Sequence, residues 1–188
     1  MTTPPAAPIA IAALDRPGLD RHLDALAELL RACVHGGASV GFILPFDIDQ
    51  ARAFWLGEVA PALAAGRRVA LVATWAGEVA GTVQLDLDSW PNQAHRAEVA
   101  KLLVHPRHRR SGIGRRLMQQ VEAEAAAAGR RLLTLDTAGD AAERLYASLG
   151  YRCAGRIPGY ARDPIEDRLD ATTIMFKWLP AGTNALRA

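Results

Sequence analysis

Leu19, Leu23, Leu26, Leu29, Leu30 and Cys33 recur at steps of three and four, which predicts an amphipathic helix over 19–35 that Gly36 and Gly37 terminate. Phe54, Trp55, Val59 and Leu63 predict a second helix, N-capped by Asp49 and closed by Gly66, with Pro61 inside it as a kink or an early stop. A third runs over 112–128 with Ile113, Leu117, Val121 and Ala125 on one face and Gly129 at its end, and a fourth over 141–149 ends at Gly150. Between them lie β-compatible runs: 9–14, then 68–75 and 78–87 joined as a hairpin by Ala76-Gly77, then 98–105, 132–136, 151–157 and 172–179. The order strand, two helices, three strands, helix, strand, helix, two strands predicts a mixed α/β (α+β) domain, one central β-sheet flanked by helices.

Composition narrows the class. With 188 residues, half of them apolar and 22% charged, the chain suits one soluble domain able to bury roughly 70% of its unfolded surface. The Pro-, Ala- and Thr-rich residues 1–8 and the residues 181–188 after Pro180 read as flexible ends, leaving 9–180 as the single domain. No apolar run approaches the ~20 residues of a membrane span and no secretion signal opens the chain, so a cytoplasmic protein with no membrane partner is expected. Lys and Arg number 22 against 20 Asp and Glu, a net +2 that gives no support to a nucleic-acid partner. Cys33 and Cys153 stand far apart outside any CxxC, and His22, His35, His95, His105 and His108 share no metal spacing. Free thiols and no bound metal are the expectation.

The stretch Val104-His105-Pro106-Arg107-His108-Arg109-Arg110-Ser111-Gly112-Ile113-Gly114-Arg115-Arg116 takes a strand through a tight, arginine-rich turn into a helix. The N–H groups of such a turn and the positive end of the helix converge on one point, where a phosphate binds. Gly112 and Gly114 would let an anion approach the backbone, while Arg109, Arg110, Arg115 and Arg116 would supply charge to further phosphate oxygens. Neither the GK[ST] of a P-loop nor the third glycine of a dinucleotide fingerprint is present. A solvated basic helix start, its glycines serving only the turn, is the competing explanation.

Arg109-x-x-Gly112-x-Gly114 after a strand ending in Leu102-Leu103-Val104 resembles the acyl-CoA signature of the GNAT family of N-acetyltransferases. Ala142-x-x-Leu145-Tyr146-x-x-x-Gly150-Tyr151 resembles that family's second motif, with a departure at Gly139, where an asparagine often stands. The resemblance implies the GNAT fold over most of the chain and an acetyl-CoA-dependent N-acetyltransferase that works by direct attack. It places the coenzyme pyrophosphate on the backbone of Arg109, Arg110, Ser111, Gly112, Ile113 and Gly114, with Arg115 nearby, and the pantetheine arm along Leu102, Leu103 and Val104. That strand is expected to splay from its neighbour, freeing backbone groups for the pantetheine amides and an N–H worth ~3 kcal/mol to the thioester oxyanion.

Glu98 is implied as general base, with Asp136 at the end of the neighbouring strand as second candidate. An alkylammonium of pKa ~10 must lose a proton before it attacks. Tyr146 is implied both as a coenzyme contact and as general acid for the departing thiolate. Plainer roles stand beside these: a strand-edge charge for Glu98, a turn cap for Asp136, a core aromatic for Tyr146.

In the family's architecture the segments 36–48, 86–95 and 155–170 line the acceptor pocket. They hold Asp47, Asp86, Asp88, Asp163, Glu166, Asp167 and Asp170, whose charge suits a cationic small-molecule amine unless these are solvated turn residues. Gly37-Ala38-Ser39-Val40-Gly41-Phe42, Phe54-Trp55 and Ile157-Pro158-Gly159-Tyr160-Ala161 resemble the branch that includes the tabtoxin-resistance acetyltransferase. A protein N-terminus or lysine is the alternative acceptor, and a non-catalytic acyl-CoA-binding or sensing module the alternative class. Trp178 is a candidate contact of a homodimer, with a core position the equal alternative.

Overall fold

The computed structural model describes residues 8–180, so the flexible ends expected at 1–7 and 181–188 lie outside the described residues. Along the chain come β1 (Ile9–Ala13), α1 (Arg16–His35), α2 (Ile48–Phe54), a π-helical turn (Trp55–Val59), α3 (Ala60–Ala64), β2 (Arg68–Trp75), β3 (Glu78–Asp86), β4 (Arg96–Val104), α4 (Ile113–Ala127), β5 (Leu132–Thr137), α5 (Asp140–Ser148), β6 (Arg152–Arg162) and β7 (Leu169–Trp178). The strands form one seven-stranded sheet in the order β1-β2-β3-β4-β5-β7-β6, antiparallel except for the β4–β5 pair. The expected element order holds; the boundaries are where it departs.

Helix α1 starts three residues early because the Asp15 carboxylate accepts the Gly18 N–H at 2.7 Å. Asp47, not Asp49, caps α2: its carboxylate accepts the Gln50 N–H at 2.8 Å while the Gln50 side chain accepts the Asp47 N–H at 2.9 Å. Pro61 does not kink a continuous helix. The π-helical turn precedes it, the Ala60 N–H reaching back to the Trp55 carbonyl, and Pro61 enters in the first turn of α3, where its missing N–H is not needed. The segment 155–170, expected to line the acceptor pocket, is mostly hairpin: β6 and β7 pair from Arg152 and Phe176 out to Arg162 and Leu169, past the expected strand end at Ile157. That extension is hidden because β6 is an edge strand with nearly every side chain exposed, so no apolar alternation marks it.

Each sheet face buries a helical layer. On one, α4 packs Ile113, Leu117, Met118 and Val121 against Leu85, Val99, Leu133 and Met175. On the other, α1 and the π-helical turn pack Leu26, Leu30, Trp55 and Val59 against Ala70, Val72 and Leu103. Each fully buried large side chain contributes roughly 1.5–3 kcal/mol, so the sheet is clamped from both sides. Gly81 sets how closely α4 seats: a Cβ there would lie 2.8 Å from the Leu103 carbonyl oxygen and 2.9 Å from Ile113 Cγ2. Trp178 is 56% exposed and stacks on His95 with ring centres 6.0 Å apart, which rules out the core position for it. No helix among the described residues is long and apolar enough to cross a membrane.

Candidate active site

Strand β4 departs from regular pairing on both edges. It pairs with β5 only over Arg96, Ala97 and Glu98; beyond them the strands part, and the edge from Val99 to Val104 has no ladder partner on that side. Against β3 the register slips, Ala100 lying opposite Gln84 and Leu103 opposite Thr82, so that Lys101, with φ 51°, sits in a bulge. The sequence carries a trace of this slip. Apolar residues facing α4 are Ala97, Val99, Leu102 and Val104, a step of three inside a period of two.

The parted strands open a cavity of about 530 Å³. Its walls are Leu102, Leu103 and Val104 from β4, Arg109, Arg110, Gly112, Ile113, Gly114 and Arg115 from the turn and the start of α4, and Ala142, Arg144, Leu145 and Ser148 from α5. Ser111 is turned into its own loop instead, its hydroxyl donating to the His108 carbonyl at 2.5 Å. Gly112 is the N-cap of α4 with φ 85° and no side-chain cap, so the first N–H groups of a 15-residue helix are left for an external anion. Gly114 also serves helix packing: a Cβ there would lie 3.3 Å from Leu145 Cδ2, so the missing side chain lets α4 and α5 approach. Cys33 also lines the wall, and burial pushes its thiol up to about 11, which keeps it protonated and poorly nucleophilic.

Outside the lining of this cavity, toward the start of β4, pairing aligns Arg68, Asp86, Glu98 and Thr134 in one row on the α1 side of the sheet, with Asp136 two residues further along β5. Glu98 is third in β4 rather than first. Partial burial, then the charge of Asp136, push its carboxyl above the ordinary glutamate range, with Arg96 opposing. Asp136 accepts a hydrogen bond from the Thr172 hydroxyl at 3.0 Å. Tyr146 is buried in α5, its ring 5.8 Å from that of Tyr151; burial, with Asp136 second, holds its phenol well above the usual tyrosine range. Asp136 therefore acts on both groups.

The acidic field expected of the pocket loops is partly offset, by four arginines against seven carboxylates. Asp86 pairs with Arg68, Asp88 with Arg67 and Asp167 with Arg162, while Asp163, Glu166 and Asp170 all converge on Arg168. Asp47 serves its helix cap. What the sequence did not single out is Lys101, half-buried, with Nζ 5.9 Å from the ring centre of Phe42 and 5.8 Å from that of Phe54. Burial and then Arg68 lower the pKa of its ammonium, against Asp136 and Glu98. The loop above is tied down by the Leu44 N–H, which donates to the Pro164 carbonyl in the β6–β7 turn at 2.9 Å. A second hollow of about 750 Å³ along Arg31, His35 and 44–48 contains none of these groups. Among the described residues no group of three or more His, Cys, Asp or Glu is placed to hold a metal ion.

Comparison with known proteins agrees with this geometry. The model of the acetyltransferase (GNAT) family matches residues 23–151. An IAA acetyltransferase of Azospirillum brasilense is 36% identical over 97 residues, 50% of this chain and 61% of that protein. The chain spans 61% and 65% of the lengths of the curated relatives it matches. Among solved structures, yncA of Salmonella typhimurium, determined with its cofactor acetyl-CoA, has a TM-score of 0.74 at 22% identity, with 93% of this chain and 96% of that one covered. An N-acetyltransferase from Staphylococcus aureus Mu50 has a TM-score of 0.77 at 19% identity, with 93% and 100% covered. At these identities the two structures establish the fold.

Proposed function

The chain belongs to the GNAT family of acetyltransferases, and from that premise we propose that it transfers the acetyl group of acetyl-CoA to a primary amine of a small molecule by direct attack. Support comes from one coincidence: the unpaired β4 edge, the uncapped start of α4 and the cations from Arg109 to Arg115 meet in a single cavity. Acetyl-CoA, when bound, supplies an activated thioester and a thiol leaving group. Amides from Arg109 to Gly114 hold its pyrophosphate, because N–H groups at the positive end of a helix favour an anion. The freed backbone of Leu102, Leu103 and Val104 pairs with the amide-bearing arm and leads it toward Glu98. A fixed strand N–H aimed at the thioester oxygen contributes ~3 kcal/mol.

Glu98 takes the proton of the acceptor ammonium, directly or through water, and its raised carboxyl brings the base nearer to neutral pH. Asp136 keeps that carboxyl raised and attracts the cationic acceptor. Tyr146 stays protonated and acts by hydrogen-bond donation to the sulfur as charge develops, since so weak an acid does not ionise beforehand. The roof over the cleft, tied from Leu44 to Pro164, favours a small acceptor over a protein tail. Thiol release measured with a panel of small primary amines tests the proposal. Glu98→Gln combined with Tyr146→Phe is expected to abolish turnover while keeping acetyl-CoA affinity. Unchanged transfer would overturn the catalytic assignment, and acetyl-CoA binding without transfer to any amine or peptide would leave a non-catalytic binding module.

A further inference from the structure

The acceptor cleft contains a cation that acetyl transfer does not itself require. Resting on the acetyltransferase activity proposed above, we propose that Lys101 and the Gln84 side-chain amide form an anion subsite, and that the preferred acceptors are small amines carrying a carboxylate, as α-amino acids do.

The bulge is the first ground. A regular β4 would alternate Lys101 onto the α4 side with Val99; the extra residue keeps it beside Ala100 on the face that carries Glu98. There its half-buried ammonium has two aromatic rings for company and forms no ion pair or hydrogen bond among the described residues. Glu98 and Asp136 are near enough to act on it electrostatically, yet neither is in contact. A half-buried ammonium whose three N–H donors are unmade among the described residues suits an oxygen anion.

Gln84 supplies an independent ground. It lies opposite Ala100, immediately beside the bulge, and is 1% exposed. Its side-chain carbonyl accepts from Arg68 at 3.2 Å, which fixes the orientation of the amide, because an arginine can only donate. The Nε2 is left buried with no partner. Buried amide donors are almost always satisfied, so an unfilled one on the residue that flanks the bulge marks a place for an acceptor oxygen. Arg68 itself is engaged by Asp86 at 2.9 Å, so it holds Gln84 in place rather than meeting the ligand.

The loop overhead adds no side chain of its own: a Cβ at Gly41 would lie 3.6 Å from Lys101 Nζ, so bare backbone passes close to the ammonium. The cleft is therefore dipolar, with Glu98 and Asp136 for an ammonium and Lys101 with Gln84 for a carboxylate. A plain cationic amine would meet Lys101 as a like charge.

Thiol release measured for each proteinogenic L-amino acid and for its carboxamide tests this. The preferred amino acid is expected to exceed its carboxamide in kcat/KM by about tenfold or more. In Lys101→Met that ratio falls toward one, and in Lys101→Arg, which keeps the charge, most of it returns. Gln84→Met lowers the ratio from the other side of the subsite and carries the test if Lys101→Met fails to fold, with acetyl-CoA titration reporting the integrity of each variant. Carboxamides used as well as amino acids, a ratio unchanged in the variants, or acetyl-CoA binding with no amino acid consumed would each overturn the subsite and leave the acetyltransferase proposal standing. Failure of the wild type to bind acetyl-CoA would overturn that proposal, and the subsite with it.

Discussion

The two ends of the cleft are made of different materials. In the proposed assignment, recognition at the coenzyme end falls mainly on backbone groups from one stretch, Leu102 to Arg115: an unpaired strand edge, a turn, an uncapped helix start. At the acceptor end the same proposal puts it on side chains from separate elements, Phe42, Gln84, Glu98, Lys101 and Asp136, gathered by register and a bulge. A backbone site tolerates change in the side chains around it, whereas a side-chain site can be re-aimed by a single substitution while its scaffold stays put. The two ends should therefore fail independently.

The largest effect is expected at the acceptor end. Glu98→Gln lowers kcat by about 10²–10⁴-fold with acetyl-CoA affinity unchanged, measured by thiol release beside calorimetry. A matching loss of coenzyme affinity would break the separation. Next, Gly112→Val weakens acetyl-CoA binding by about tenfold or more, because an L side chain at φ 85° costs about 1–2 kcal/mol and reshapes the turn. The acceptor KM at saturating acetyl-CoA stays level.

The acidic limb of the pH profile is expected to follow Glu98. Only the ionised carboxylate accepts a proton, and its pKa is raised, so kcat/KM falls with decreasing pH through a value above 4.5; in Glu98→Gln that limb disappears. The smallest effect lies in the roof. Backbone N–H groups of Glu166 and Ile165 hold the Asp163 carboxyl down at about 2, so its stabilisation is full above the ordinary aspartate range and is lost as pH falls toward that value. Asp163→Ala is expected to raise the acceptor KM a few-fold and lower Tm by a few degrees with acetyl-CoA affinity intact. An effect on the coenzyme alone would place the turn at the wrong end.

The same division governs what the sequence makes legible. A turn and a helix start are contiguous, so Arg109, Gly112 and Gly114 show themselves by spacing, while the second part of Gly114, in helix packing, does not. Helix and strand order is legible because α1 and α4 bury regular apolar stripes. The acids from Asp86 to Asp170 mislead because sequence shows charge without the partner: Arg67, Arg68, Arg162 and Arg168 pair with most of them across turns and strands. The outer part of β6, beyond Ile157, is hidden because an exposed edge has no face to bury. Lys101 is hidden for a different reason. Its importance depends on a register slip, and the three-residue step between Val99 and Leu102 has meaning only once β3 is known to lie alongside.

Calorimetric titration of acetyl-CoA into the wild type and into the double variant Glu98→Gln, Lys101→Met tests the division most directly. Both proteins are expected to bind one acetyl-CoA per chain with the same affinity, since both substitutions change side chains and leave the backbone groups of the turn, the helix start and the unpaired strand edge in place. No binding by the wild type, or binding lost in the double variant, would contradict a coenzyme site built on the backbone and separate from the acceptor side chains.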